Sequence, residues 1–327
     1  MVASDKNIVA ALEDVALVDR SNLGKLRVTG ADRLDLLHRL STNDLLQLKP
    51  FSSKGTVFTT ERGRIVDSVR LLAYPDSLLL ISACYPVDRI RAWIEKYTIM
   101  EDIRLEDVTD SETLLTLVGP NSLQRISSIL QDVPGPGEFR VTPLGDFLLS
   151  IDHQQEFGLE WVNVLSSGVD ARISMERLLG HLSEHGVKLL DGPTFECYRI
   201  LQGIPGEGEL TDAFNPYDVN LRHAISFTKG CYIGQEVIAR LDTYQKVQRG
   251  LALLSFKEEI CVPSHSVLPV ADGGEQVGVI TSVSHLAFQG MYLGLGILKQ
   301  PAVKLGDRVT ISTGSRMLDA NIDRIFW

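Results

Sequence analysis

From about residue 248 onward the chain gives up helical periodicity altogether. It continues as "GLALLSF", "SVLPV", "EQVGVITSV", "MYLGLGILK", "DRVTIST" and "MLDANIDRI", short strand-like runs separated by Gly, Asp, Pro and Ser. Short strands in series leave unpaired edges unless the sheet closes on itself. The pattern therefore predicts a small antiparallel β-barrel over residues 248–327, and a domain boundary at its start.

Residues 1–247 obey a different grammar. "GKLRVTG" (24–30) reads as a strand ending in a glycine turn, and "ADRLDLLHRLST" then puts Leu34, Leu37 and Leu40 on one helical face. "KGTVFTT", "RIVDSVRLLAY" and "SLLLISA" form a three-stranded meander by turn spacing, and "PVDRIRAWIEKY" (86–97) is a helix that Pro86 can start. The same order then recurs. Strands at 102–108 and 113–118 precede a helix at 121–131, the chain breaks at Pro134–Gly137, and strands at 147–151 and 158–165 lead into the helix "ARISMERLLGHLSEHG". The expectation is an α+β region of two similar sub-modules with central helices.

Charge and cysteine usage narrow the function. The net charge of −10 opposes a general nucleic-acid surface, so direct DNA binding is not expected and contact with transfer RNA is left open. The longest apolar run, "LLLISACY", is too short to cross a membrane. The opening residues carry Asp5, Glu13 and Asp14 without a basic flank, so neither a signal nor a transit peptide is expected. A cytoplasmic protein is the simplest reading. Cys84, Cys197, Cys231 and Cys261 form no C-x-x-C pair and have no histidine at ligand spacing, so no stable metal site is expected.

One stretch stands apart. In "SFTKGCYIGQEVIAR" (226–240) a cysteine sits between Gly230 and Tyr232, two residues after Lys229. "HAISF" reads as a strand leading in, and "GQEVIARLDTYQKV" as a helix with Val237, Ile238, Leu241 and Val247 on one face. Cys231 then lies just before a helix start. There the dipole and Lys229 would favour a thiolate, while Glu236 would oppose them. The residues alone leave two readings open, a reactive thiol or a small buried hydrophobe. The other three cysteines lie in apolar contexts and read as packing residues.

Lys229-Gly230-Cys231-Tyr232-Ile233-Gly234-Gln235-Glu236, closed by Arg240, resembles the signature of the YgfZ family of GcvT-like proteins. "LRVTGADRLDLLHRLSTNDLLQL", "YRILQGIP" and "NPYDVNL" resemble further segments of that family. The resemblance implies a GcvT-like aminomethyltransferase folate-binding fold carrying a C-terminal barrel. It also implies tetrahydrofolate as ligand, contacted by Phe195, Leu23, Arg199 and Asn220. Its implied role is assembly or repair of iron–sulfur enzymes, including some that modify transfer RNA, in contact with iron–sulfur client or assembly proteins. Cys231 would be the working group, ligating iron transiently or forming a mixed disulfide.

The chain departs from the aminomethyltransferases of this fold at two places. Their Asp-Asp pair is reduced to Asp67-Ser68, and the glutamate of their Arg-Leu-Glu-Ala-Gly segment is Leu201 in Arg199-Ile200-Leu201-Gln202-Gly203. A leucine cannot accept N–H bonds from a pterin. Aminomethyl or one-carbon transfer using Asp67 is therefore the alternative reading, and a non-catalytic interaction module is a third.

Overall fold

The computed structural model describes residues 3–84, 86–130, 132–243, 247–262, 266–314 and 316–327. Two antiparallel-rich sheets and a barrel make up the architecture. The first sheet has five strands in the order Ser53–Thr59, Ile65–Ala73, Leu78–Ser82, Lys25–Thr29, Arg104–Asp107. The second has six, in the order Lys188–Leu190, Ala16–Asp19, Glu112–Val118, Leu159–Ser167, Phe147–Glu156, Phe139–Leu144. The third closes into a six-stranded antiparallel barrel running from Arg249 to Ile325. Closure leaves no free edge, which the turn-rich pattern of that segment anticipates.

Helices pack on the outer face of each of the first two sheets, and helices Ala3–Glu13 and Gly192–Gln202 cover part of the other face of the six-stranded one, through Ala11 and Tyr198 against Ala16, Val18, Val118 and Leu190. Helices Arg33–Leu40 and Val87–Tyr97 place Leu36, Leu37, Ile90 and Ile94 against Val69, Leu71 and Leu80 of the five-stranded sheet. Helix Ala171–Glu184 places Leu178 and Leu182 against Leu117, Val162 and Val164 of the six-stranded sheet. The inner faces meet each other through Leu72, Leu79, Ile81, Leu114, Phe139 and Leu165. Burying both inner faces is the physical reason the two sheets associate.

Helix Gly192–Gln202 joins this body to the barrel, and its ends are written in the sequence. The Asp191 side chain accepts from the Thr194 N–H at 2.9 Å, Pro193 occupies the first turn, and Gly203 closes the helix in the left-handed region at φ 68°. Its Cys197 and Ile200 pack with Leu251, Leu253 and Leu295 of the barrel.

Some local expectations are corrected. "HAISF" forms no strand; Arg222–Ala224 is a 3-10 turn. The strand Phe139–Leu144 and the helix Ala3–Glu13 have no counterpart in the sequence reading. The helix expected over 121–131 spans Ser122–Ser127, with Gln131 outside the described residues. Likewise the helix after Gly234 spans Gln235–Thr243, and Tyr244, Gln245 and Lys246 lie outside them. No helix among the described residues is long and apolar enough to cross a membrane.

Candidate functional site

The inner faces of the two sheets do not close completely. A cavity of about 740 Å³, open mouth included, remains between them, roofed by the chain at Ile204–Pro205 and Leu221–Ala224. Strand alternation decides which side chains reach it. On Phe147–Glu156, residues Asp152, Gln154 and Glu156 share one face. Their register partners on the neighbouring strand are Asn163 for Asp152 and Trp161 for Gln154. On Ile65–Ala73, Ser68 and Arg70 share a face in the same way.

Arg70 organises this wall. Its guanidinium donates to Asp152 at 2.9 and 3.2 Å, to Glu156 at 2.9 Å and to the Ser53 hydroxyl at 2.6 Å. Asp152 is fully buried and also accepts from Asn163 at 3.0 Å and from Gln154 at 3.2 Å. Burial works to raise the Glu156 carboxyl, but His223 at 3.8 Å and Arg70 outweigh it and hold it below its ordinary value. Trp161 is buried on the same wall, and its indole N–H has no hydrogen-bond partner among the described residues. Sequence reasoning missed Arg20, Arg70, Gln154, Glu156, Trp161, Asn163 and His223, all of which line the cavity.

Of the residues that reasoning did name, Leu23 lines the cavity. Phe195 is not among the lining side chains; it lies edge-on to Trp161 at 6.5 Å and under the Arg20 guanidinium at 5.9 Å. Arg199 is buried away from the cavity and pairs with Glu196 and Glu209. Asn220 is also off the wall. It holds a positive φ of 65°, a conformation asparagine tolerates better than most residues, just before the lining Leu221.

Asp67 belongs to the opposite face of its strand from Ser68 and Arg70. It is fully buried, accepts from the Ser82 hydroxyl at 2.9 Å, and leaves its second oxygen without a hydrogen-bond partner among the described residues. Burial raises its carboxyl to about 7, against the opposing pull of the Ser82 hydroxyl and the Arg89 charge. Its ordinary value is 3.8. Between those limits the folded chain holds a proton that the unfolded chain has released. Stability therefore falls as pH rises from about 4 to about 7, and the full cost is present above that window. Asp67→Asn should flatten this slope and raise stability at pH 8 by about 1–4 kcal/mol. Parallel melts at pH 4.5 and pH 8 measure it, and equal shifts at both would contradict the assignment.

The 229–240 stretch forms a separate feature. Lys229 turns inward. Its ammonium donates to the backbone carbonyls of His38 (2.5 Å), Ser41 (2.7 Å) and Asn43 (2.9 Å), just where helix Arg33–Leu40 ends. The His38 carbonyl is one that a helix C-terminus leaves without an intrahelical donor, and Ser41 and Asn43 lie at and just beyond the cap. Burial lowers the ammonium to about 8. Lys229 is therefore committed to the fold and is not free to activate the thiol. Tyr232 also turns inward, against Tyr217, Ile225 and Ile238. Between these two anchors Cys231 is exposed.

The two glycines differ. Gly234 has a φ of 84°, and a Cβ there would stand 2.5 Å from the Thr60 carbonyl, so backbone geometry demands it. At Gly230 an added Cβ would meet nothing within 4 Å. Gln235 opens the next helix, and Glu236 is spent on a surface pair with Arg240 at 2.9 Å. Neither Cys231 nor Asp67 lines the cavity. One strand links cavity and loop: Ser53–Thr59 passes the cavity at Gly55 and ends at Thr59, whose hydroxyl donates to the Ile233 carbonyl at 2.6 Å. Cys197 is buried and Cys84 half-buried, as packing residues should be, but Cys261 is exposed. No group of three or more His, Cys, Asp or Glu that could hold a metal ion occurs among the described residues.

Two facing sheets with helices outside, a polar cavity between them and a closed barrel define a GcvT-like fold. The structure of glycine cleavage system aminomethyltransferase T from Bartonella henselae matches it with a TM-score of 0.77, over 99% of this chain and 89% of that one, at 18% identity. The family model described as GCVT N-terminal domain matches residues 2–138. An Arabidopsis thaliana protein named "Putative transferase At1g60990, chloroplastic" is 30% identical, over 94% of this chain and 70% of that protein. An aminomethyltransferase of Halalkalibacterium halodurans is 25% identical, over 94% of this chain and 84% of that protein. This chain belongs to the GcvT family.

Proposed function

We propose that the protein is a tetrahydrofolate-binding accessory factor of the YgfZ type, serving assembly or repair of iron–sulfur enzymes, with Cys231 as its working group. One observation carries this reading. Cys231 is an exposed thiol on a loop pinned from both sides, with Gly230 leaving its approach open although space does not require a glycine there. A packing cysteine would be turned inward.

The cavity suits the folate part of the proposal. A reduced pterin presents N–H donors and ring acceptors, and Glu156, Gln154, Asn163 and His223 offer groups of both complementary kinds. Glu156 also supplies the carboxylate that Leu201 cannot, since a carboxylate has acceptor sites beyond those Arg70 and His223 occupy. When bound, a reduced folate supplies a carrier of one-carbon units. This chain's residues hold its ring and shield it between the two sheets. Iron or a cluster would be cargo. Clusters take about four ligands, so a partner protein or small thiol would complete the shell around Cys231. A cytoplasmic setting and iron–sulfur client proteins belong to the same proposal.

The names of the relatives favour a second reading, aminomethyl or one-carbon transfer at Asp67. It requires that carboxyl to act through its strand, because it belongs to the face away from the cavity wall that Ser68 and Arg70 build.

Two measurements test the proposal together. Titration calorimetry should detect tetrahydrofolate binding to the native chain. Cys231→Ser should melt within about 0.5 kcal/mol of the parent, as exposed substitutions do, yet fail to restore an iron–sulfur enzyme activity in cells lacking the native protein. Full restoration by the serine variant refutes a chemical role for the sulfur and moves the interaction-module reading to the front.

A further inference from the structure

Part of the cavity roof and the Cys231 loop are one continuous run of chain, and both are fastened to the same short segment. Leu221, His223 and Ala224 line the cavity, and the exposed Cys231 follows shortly after them. Thr42 holds the roof. Its buried hydroxyl donates to the Ala224 carbonyl at 2.7 Å and accepts from the Val57 N–H at 3.1 Å. Its carbonyl accepts from the Ser226 N–H at 3.0 Å, where the loop begins. Its neighbours Ser41 and Asn43 then accept from Lys229. Asn43 also reaches the cavity side, because its side-chain amide donates at 2.9 Å to the carbonyl of the lining Gly55.

The run from Leu221 to Ile233 has little of its own to hold it in shape. After the 3-10 turn Arg222–Ala224, no backbone N–H from Phe227 to Tyr232 donates a hydrogen bond among the described residues. The far end is tied by the Ile233 N–H, which donates to the Arg39 carbonyl at 3.1 Å. Ile225 and Tyr232, one from each half of the run, pack into the same small cluster with Tyr217 and Ile238. Two residues in the left-handed region bound it, Asn220 at φ 65° and Gly234 at φ 84°. A segment fastened at a few points and packed through one shared cluster opens as a unit, at lower cost than a central strand or helix. A few bounding residues absorb the change in φ and ψ.

We propose that residues 221–233 form a single strap, fastened through Thr42 and Lys229, and that an occupant of the cavity holds the strap closed and so fixes the loop that presents Cys231. The occupant touches the strap at its lining residues Leu221, His223 and Ala224, and it loses those contacts when the strap lifts. By linkage its binding favours the closed state and orders the loop beyond. The strap joins the two halves of the proposed function, and it rests on that reading for the ligand's identity and for the use made of the thiol. Its fastenings depend on neither.

The test has two arms, and the first needs no ligand. Thr42→Val removes the roof fastening, and Lys229→Met removes the loop fastening. Amide exchange is followed by NMR at Ser226, at Ile233 and, as a control, at Ser284, whose N–H bonds the Leu293 carbonyl in the barrel. Each variant should accelerate Ser226 and Ile233 together, by roughly tenfold or more for a lost buried hydrogen bond. Ser284 should stay within about twofold. In the second arm, 5-formyltetrahydrofolate is added at about a hundred times its calorimetric Kd. It should slow exchange at Ile233 by roughly tenfold or more, towards the limit of about a hundredfold set by complete loss of binding on opening. Ile233 itself does not line the cavity. A nitroxide on Cys231, in a Cys261→Ser background that removes the other exposed cysteine, should lose mobility at the same time. If 5-formyltetrahydrofolate does not bind but both variants accelerate both amides, the folate reading falls and the strap stands. If each variant loosens only its own end, or if the ligand binds and leaves Ile233 exchange and the nitroxide unchanged, the strap is wrong.

Discussion

Arg199→Met should destabilise the protein by about 3–5 kcal/mol, the range for stripping one partner from a buried ion pair. The helix Gly192–Gln202 delivers this guanidinium to the junction with the barrel. There it donates to Glu196 at 2.6 Å, Glu209 at 3.2 Å, the Ile204 carbonyl at 3.1 Å and the Ser282 hydroxyl at 2.9 Å. Burial works against its charge, but Glu209 and Glu196 outweigh that and raise it. Glu196 keeps a side-chain exposure of 33% and can turn to water, whereas Glu209 is fully buried. Methionine would therefore strand the Glu209 carboxylate. Its remaining donors, the Thr281 hydroxyl and the Gly206 N–H, cannot neutralise it. A melt should move down by roughly ten degrees. Adding Glu209→Gln should recover part of that loss, because the stranded charge goes with it. A melt within about two degrees of the parent would show that the guanidinium is not what holds helix and barrel together. The loss should be in stability, since Arg199 does not line the cavity.

What could be read in advance, and what could not, divides along the range of the interactions involved. The barrel was legible because turn residues and period-two runs are local. The C-terminal part of helix Gly192–Gln202, "YRILQG", was singled out only through its family resemblance, although its capping residues Asp191 and Gly203 are local signals. The cavity wall was not legible. "DHQQE" lacks the β-branched residues that mark a strand, so the reading ended at residue 151. Only pairing with Leu159–Ser167 extends the strand to Glu156 and turns Asp152, Gln154 and Glu156 to one side. Arg70 meets Asp152 across 82 residues of sequence, a distance at which no periodicity operates. Asp67 was found by motif, but its orientation depends on alternation fixed by the whole sheet. The 229–240 stretch was singled out correctly as unusual, and the direction of its lysine was misread, because the carbonyls it serves lie more than 180 residues earlier.

That lysine gives the sharpest remaining test, since its two possible roles predict opposite results. Suppose Lys229 activates the thiol. Then Lys229→Met would leave the melt almost unchanged and slow alkylation of Cys231, by depleting the thiolate. The geometry indicates the other role. The ammonium closes three carbonyls at and just beyond the end of helix Arg33–Leu40, and the aromatic face of Tyr232 lies 4.9 Å from it. Each charge-assisted bond of this kind contributes about 1.5–3 kcal/mol when its partner would otherwise be left unsatisfied. The three are not additive, because water reaches part of the vacated site, and a net loss of about 2–4 kcal/mol is expected. Lys229→Met should therefore lower the melt by several degrees. Amide exchange should accelerate over 226–234, where Ile233 N–H bonds the Arg39 carbonyl and Ser226 N–H bonds the Thr42 carbonyl. Cys231 is exposed in the parent, so its alkylation should change little or rise as the loop loosens. A stable variant with a slowed thiol would overturn this account and return Lys229 to the chemistry. A destabilised variant with an undiminished thiol would place the lysine in the fold, leaving Gly230 and Cys231 as the part of the motif free to meet a partner.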